Sequence, residues 1–301
     1  MSNGGLVSLW DVPAPAKLNL FLHVTGRLPD GYHRLQSVFV LIDWADTLHF
    51  ERRSDGRLVR HDLGVPLPAD DLCLQAARSL QAASGSTLGV DISIDKRVPS
   101  QAGLGGGSSN AATTLLALNR LWGLGWARER LHGLAQRLGA DVPFFVGGDN
   151  AWVEGRGEQL TPIELPTQWF AVVKPDAGLS TAAVFSHPTL VRDTPAAILS
   201  GFLADAVQPE TSERQGLGPG FGRNDLQPAA EACCPEVTRA ADWLALHFGN
   251  SRMTGSGSAV FARNGTDDRP RVAWPAAPLP PGWIGRTCRS LARHPLRGWA
   301  S

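Results

Sequence analysis

The densest chemical signal in the sequence is the run at 99–110, Pro-Ser-Gln-Ala-Gly-Leu-Gly-Gly-Gly-Ser-Ser-Asn. Gly103, Gly105, Gly106 and Gly107 let backbone N–H groups approach an anion closely. Before them, Val90, Ile92 and Ile94 alternate as in a strand; after them, Ala111, Leu115, Leu118 and Trp122 recur near the helical period. A helix beginning at the glycines offers uncapped N–H groups and the positive end of its dipole, so the chemistry this arrangement suits is phosphate binding. A flexible connector capped by Ser108 is the plain alternative, and the strand-to-helix context favours phosphate. The run is not a P-loop, because Ser108 stands where a lysine is required. It is also a poor dinucleotide fingerprint: the third glycine is displaced, and the next segment leads to another helix instead of a strand ending in Asp or Glu. Nicotinamide binding is the runner-up for this loop.

The elements that must hold this loop can be traced along the chain. Alternation over residues 16–24 puts Leu18, Leu20, Leu22 and Val24 on one face and Lys17, Asn19, Phe21 and His23 on the other, predicting a strand with a polar edge. Pro29, Asp30 and Gly31 mark a turn, and residues 38–42 and 47–51 are predicted as two strands joined by a short connection. Leu72, Ala76, Ala77 and Leu80 predict a helix. A second amphipathic helix carries Leu131, Leu134, Ala135 and Leu138 and stops at Gly139, so that Asp141 opens a new element. After a strand at 151–154, the Pro- and Thr-rich stretch 160–168 is taken as a boundary, giving domains at 1–165 and 166–301. The second half predicts a strand at 170–173, a helix through Val237, Ala241 and Leu244, and a strand at 259–262 beside a glycine turn; the proline-dense stretch 269–283 is expected to be irregular.

Composition limits the partners. The chain of 301 residues has 28 Lys+Arg against 28 Asp+Glu, which argues against nucleic acid and membrane surfaces and leaves a small molecule as the expected partner. The N-terminus lacks the features of a signal peptide and no stretch has transmembrane length, so a cytoplasmic monomer or weak homodimer is expected. Cys73, Cys233, Cys234 and Cys288 form no CxxC pair and are read as reduced packing residues.

The motifs together resemble those of the GHMP kinase superfamily: Pro-Ala-Lys-Leu-Asn at 15–19, the glycine loop at 99–109, and Thr-Gly-Ser-Gly at 254–257. Asp-Gly-Tyr-His at 30–33, Leu-Gly-Ala-Asp-Val-Pro at 138–143 and Asn-Asp-Leu at 224–226 are similar to the branch that phosphorylates the 2-hydroxyl of a cytidine-diphosphate-linked methylerythritol. The resemblance spans about residues 13–262. It implies an α+β, two-domain GHMP kinase fold, with an N-terminal ribosomal S5-like domain, a C-terminal ferredoxin-like domain and an active-site cleft between them. It also implies ATP and Mg2+, the metal ligands remaining unknown. Asp141 resembles the family's catalytic base, and Lys17 would keep that carboxylate charged and help position or polarise the substrate hydroxyl. An N-cap before Pro143 and a solvated strand lysine are the plain alternatives for these two. The loop residues Pro99, Ser100, Gln101, Ala102, Gly103, Leu104, Gly105, Gly106, Gly107, Ser108 and Ser109, together with Lys96 just before them, are expected to bind ATP. By the same resemblance Tyr32 and Phe185 sandwich the base, His33 hydrogen-bonds it, and Asn19 contacts the other end of the substrate.

The chain departs from the family pattern in several places, among them Ser256 for the usual threonine and a divergent tail beyond Asn264. Ser100, Gln101 and Ala102 stand where relatives carry more glycine, and Asp70-Asp71-Leu72 stands where they carry Asp-Asn-Leu, which leaves only acceptors for the adenine edge. Homoserine, mevalonate or galactose phosphorylation is the competing activity within the superfamily. A non-catalytic nucleotide-binding module, or an RNA-binding protein built on the S5-like fold, are the competing classes, the last disfavoured by the zero net charge.

Overall fold

The computed structural model describes residues 6–207, 223–266 and 268–301. Two antiparallel arms, β1 (Ser8–Arg27) and β2 (His33–Arg53), form the spine of the first sheet, joined by the turn that Pro29, Asp30 and Gly31 predict. On the other edge of β2, β4 (Gly89–Asp95) pairs with its end and β5 (Ala151–Glu154) with its beginning. The outer strands are β3 (Leu58–Asp62), parallel to β4, and β6 (Gln159–Pro162). Four helices cover one face: α1 (Leu72–Ser84), α2 (Gly106–Leu121), α3 (Arg128–Leu138) and α4 (Val142–Gly147).

The second sheet runs β10-β7-β9-β8, all antiparallel, from β7 (Trp169–Lys174), β8 (Arg252–Met253), β9 (Val260–Arg263) and β10 (Ile284–Arg289). Helices α5 (Thr181–Ser186), α6 (Leu199–Val207), α7 (Gln227–Cys233) and α8 (Pro235–Phe248) accompany it. Among the described residues no helix is long and apolar enough to cross a membrane.

Strict alternation on β2 feeds two cores. Phe39 and Leu41 face the helices, whereas Val38, Val40 and Ile42 face the second sheet, where they meet Phe170, Val172 and Phe261. A third core lies between β7, β9 and helices α7 and α8. Both faces of β1 are therefore covered, which corrects the expectation of a polar edge. Lys17, Asn19 and His23 are all buried, and Phe21 joins the inter-sheet core with Leu18 and Leu20. The parity slips because the β1–β2 register shifts between Asn19 and Leu22, and a bulge re-aims the side chains beyond it.

Two further expectations, on residues 38–42 with 47–51 and on the cysteines, are corrected, and two strands, β6 and β10, stand where the sequence predicted none. Residues 38–42 and 47–51 belong to one strand, since the register passes from Pro15↔Ala45 to Ala16↔Ile42 and the two intervening residues of β2 are absorbed as a bulge. Part of the Pro- and Thr-rich stretch is strand β6, and its prolines are tolerated on an edge. Strand β10 follows the irregular proline-dense stretch and closes the second sheet, although its sequence gives no alternating apolar signal. Of the four cysteines, all free, Cys233 is exposed and so does not pack, while burial pushes the Cys73 and Cys288 thiols up.

The last residues return to the first sheet's layers. Leu291 N–H donates to Leu41 O (2.8 Å), His294 N–H to Gly148 O (2.8 Å), and Arg128 N–H to Ser301 O (2.8 Å). His294 is buried with Nδ1 accepting from Leu296 N–H at 3.1 Å, and burial pushes its imidazole down to about 4. The folded state therefore holds this ring neutral, while an unfolded chain protonates it near pH 6.5. Stability from this group is intact above about pH 6.5 and is lost as pH falls toward about 4. Between pH 7 and pH 5 wild type should lose about 2 kcal/mol more than H294Q, measured by urea denaturation at each pH; equal losses would exclude His294 as the sensitive group.

Candidate active site

The N-cap of helix α2 is Gly105, which adopts a left-handed conformation (φ 70°) and supplies no side-chain cap. The N–H groups of the first turn thus stay open at the mouth of a buried helix, as an anion site requires. Asp46, fully buried, holds the approach to the loop: its Oδ1 accepts from Arg97 and Val98 N–H at 2.7 Å each, and its Oδ2 from Lys96 Nζ at 2.6 Å. Lys96 also donates to Val98 O. Its ammonium is thus paired beside the loop, on the wall of the pocket that the loop borders.

The glycine turn at 254–257 docks on the loop backbone to backbone. A Cβ on Gly103 would lie 2.2 Å from Thr254 O, and one on Gly255 would lie 3.0 Å from Gly103 O. Thr254 Oγ1 accepts from Asn19 N–H at 2.9 Å, and Lys17 N–H donates to Leu104 O at 3.0 Å. The three motifs, far apart in the chain, meet at one point.

At that point Lys17 Nζ stands 3.5 Å from Asp141 Oδ2 and lies over the Phe39 ring. Asp141 occupies the N-cap position of α4 but makes no side-chain cap bond, so the plain reading of an Asp before proline does not describe it. Its carboxylate faces Lys17 and the cleft. Lys17 is not a solvated lysine, being 3% exposed. Asn19 Oδ1 accepts from Lys17 Nζ, and its Nδ2 donates to Ser37 Oγ at 2.9 Å. The Asn19 amide is therefore engaged in orienting the lysine.

A cleft of about 930 Å³ runs from this pair to Tyr32, His33 and Phe185. His33 and Phe185 lie with ring centroids 5.1 Å apart, and Tyr32, mostly exposed, carries Arg156 over its ring at 4.6 Å. Burial, and then the Arg192 and Arg27 cations, hold His33 below the usual imidazole range. A second pocket of about 430 Å³ lies on the other side of the loop, against Leu67, Pro68 and Leu72. The two cavities share Gln101, Gly103, Gly105 and Ser108. A group passing from one to the other must cross this short stretch of loop.

Pro99, Ser100, Ala102, Leu104, Gly106 and Gly107 line only the second pocket, and Ser109 is buried behind it. The doubtful carboxylate of Asp71 is used locally: it caps α1 by accepting from Leu74 N–H (3.1 Å) and pairs with Arg60 (3.0 Å). Asp70 pairs with Arg78. Asn110, in contrast, is buried on the pocket wall with Oδ1 lacking a partner among the described residues. Sequence reasoning missed Asn110 as a pocket residue; the signal was an amide side chain immediately after the glycine-serine run and before Ala111 and Ala112.

Among the described residues no cluster of three or more His, Cys, Asp or Glu could cage a metal. Two residues with oxygen side chains that line the cleft there, Asp141 and Ser108, suit a hard cation that keeps waters and phosphate oxygens as its other ligands.

Residues 71–149 match the family model "GHMP kinases N terminal domain", and residues 213–273 match "GHMP kinases C terminal". The class is thus a two-domain α+β kinase, and a homoserine kinase structure from Cytophaga hutchinsonii shares the fold at 16% identity, with TM-score 0.65 over 98% of this chain and 97% of that one. A protein of Methylibium petroleiphilum named 4-diphosphocytidyl-2-C-methyl-D-erythritol kinase is 64% identical over 98% of this chain and 99% of its own length. A crystal structure of 4-(cytidine 5'-diphospho)-2C-methyl-D-erythritol kinase is 35% identical, with TM-score 0.71 over 83% of this chain and 88% of that chain. The chain belongs to the 4-diphosphocytidyl-2-C-methyl-D-erythritol kinase family of GHMP kinases.

Proposed function

We propose that the chain transfers the γ-phosphoryl group of ATP to the 2-hydroxyl of 4-diphosphocytidyl-2-C-methyl-D-erythritol, giving the 2-phosphate and ADP in non-mevalonate isoprenoid precursor synthesis. The observation that carries this reading is the Lys17–Asp141 pair standing beside the open amides of α2, at the one stretch of loop common to both cavities. Phosphoryl transfer leaves little covalent work to a protein beyond positioning and charge stabilisation.

The first-turn N–H groups of α2 hold the phosphates, with Lys96 and Asp46 keeping the loop in place. Leu67, Pro68 and Leu72 flank the adenine, and the unpartnered Asn110 Oδ1 accepts from its amino edge in place of the engaged Asp71. Asp141 accepts the proton of the hydroxyl, and Lys17, aimed by Asn19, polarises that oxygen. Asp141 and Ser108 are the residues that would hold Mg2+, which supplies charge neutralisation on the phosphates. Tyr32 and Phe185 give the cytosine its flat surfaces, and His33 a hydrogen-bonding group. Four free cysteines fit a reducing, cytoplasmic setting.

A coupled ADP-release assay with ATP and Mg2+ tests the reading. Turnover should appear with 4-diphosphocytidyl-2-C-methyl-D-erythritol and be at least about 10²-fold lower in kcat/KM with homoserine, mevalonate or galactose, because a polar pocket left unfilled costs several kcal/mol. Tight ATP binding without turnover on any acceptor would instead support a nucleotide-binding module.

A further inference from the structure

We infer that Arg192 is a positioning residue that fixes which nitrogen of His33 carries the proton, and that the base pocket thereby prefers cytosine to uracil. The inference rests on the reading of Tyr32, His33 and Phe185 as the base site. Arg192 Nε donates to His33 Nε2 at 3.0 Å, Nη1 donates to Leu190 O at 2.9 Å, and Nη2 donates to Phe185 O at 3.1 Å and His187 O at 3.2 Å. One guanidinium thus ties the start of β2 to the end of α5 and holds the His33–Phe185 ring pair as a unit. Among the described residues no carboxylate shares in these contacts, and a guanidinium can only donate.

The consequence for His33 is chemical. Nε2 must accept, so it carries no hydrogen, and burial with two nearby arginines keeps the ring neutral. The proton then sits on Nδ1, which makes no hydrogen bond among the described residues and is the ring nitrogen left for a ligand. A fixed N–H donor meets an acceptor at N3 of cytosine. Uracil carries hydrogen at N3, so the same donor would face another donor and both would be left unpaired. Without Arg192 the imidazole can move its proton to Nε2 and offer Nδ1 as an acceptor to uracil.

Calorimetry with CDP and UDP as probes tests this, alongside 15N NMR of the His33 ring. Wild type should bind CDP at least about tenfold more tightly than UDP, the effect of one lost buried hydrogen bond, and its His33 signals should be those of an Nδ1–H ring. R192M should bring the two affinities to within about threefold and mix the tautomers. R192K, which can still donate to Nε2 but cannot reach three carbonyls as well, should weaken both ligands while keeping most of the preference. Equal loss of CDP and UDP binding in R192M, with the ratio unchanged, would reduce Arg192 to a strut and overturn the inference. An Nε2–H ring in wild type, observed without any variant, would overturn it too. If H33A leaves CDP affinity unchanged, the base reading itself fails and the inference goes with it.

Discussion

Replacing Asp141 by asparagine should lower kcat by about 10²- to 10⁴-fold, the usual worth of a positioned general base, while leaving the KM for the hydroxyl-bearing substrate and the thermal midpoint close to wild type. The separation of these effects follows from geometry. The Asp141 side chain makes no cap bond to α4 and is partly exposed, so an isosteric amide removes charge and basicity without opening a hole or orphaning a donor. What it does remove is the acceptor for the hydroxyl proton and the partner 3.5 Å from Lys17 Nζ. Lys17→Met should cost a similar factor, yet the double variant should be little worse than either single one, because residues that act on one proton do not contribute additively. Steady-state kinetics on the four proteins gives the cycle. Near-normal turnover in D141N would end the assignment of the base, and a strict product of the two single losses would show that the pair does not act together.

How much of this was legible in the sequence depended on whether a residue's role is local. The glycine loop could be placed from its neighbours alone, since a strand before it and a helix after it are both written in periodicity, and Gly105 does open α2. Lys17 and Asp141 became candidates only as members of short motifs; nothing in the alternation of β1 announces that its polar face is buried, with Lys17 over Phe39. Asn19 was legible as a polar neighbour of Lys17, but the partner that engages its amide, Ser37, lies across the hairpin. Asp46 and Arg192 carried no signal because their value comes entirely from tertiary contact: Asp46 serves Lys96 fifty positions away, and Arg192 serves His33 at a separation of 159. The long strand β2 was divided for a related reason. A bulge at Asp43 and Trp44 interrupts the alternation without interrupting the strand, and only the register against β1 reveals its continuity. Similarly, β10 gives only Cys288 to the fully buried core between the sheets, so its sequence carries little apolar alternation.

The glycines of the loop look alike in the sequence and should behave differently when replaced by alanine. At Gly103 the backbone is left-handed (φ 71°), and a Cβ would meet Thr254 O at 2.2 Å with Gly257 N at 3.2 Å, all of it backbone that belongs to the other domain's glycine turn. Neither side can yield by rotating a side chain, so G103A must push the turn from the loop. That should cost at least about 2 kcal/mol of stability, combining left-handed strain with steric displacement. It should also raise the KM for ATP by about tenfold or more, because the loop amides move with the displaced backbone. Gly107 is helical and exposed, and its Cβ would meet nothing nearer than Leu72 Cδ1 at 3.7 Å. G107A should therefore be at least as stable as wild type, by up to about 1 kcal/mol on helix propensity alone. If phosphate lies against the first turn of α2, the new methyl group occupies space the ligand needs, and ATP affinity falls even though the fold has gained. Thermal melts paired with ATP titrations on the two variants separate the causes: G103A should lose both stability and binding, and G107A binding alone. A G107A protein that binds ATP as wild type does would place the phosphates away from the α2 N-terminus and with them the whole orientation of transfer from one cavity to the other.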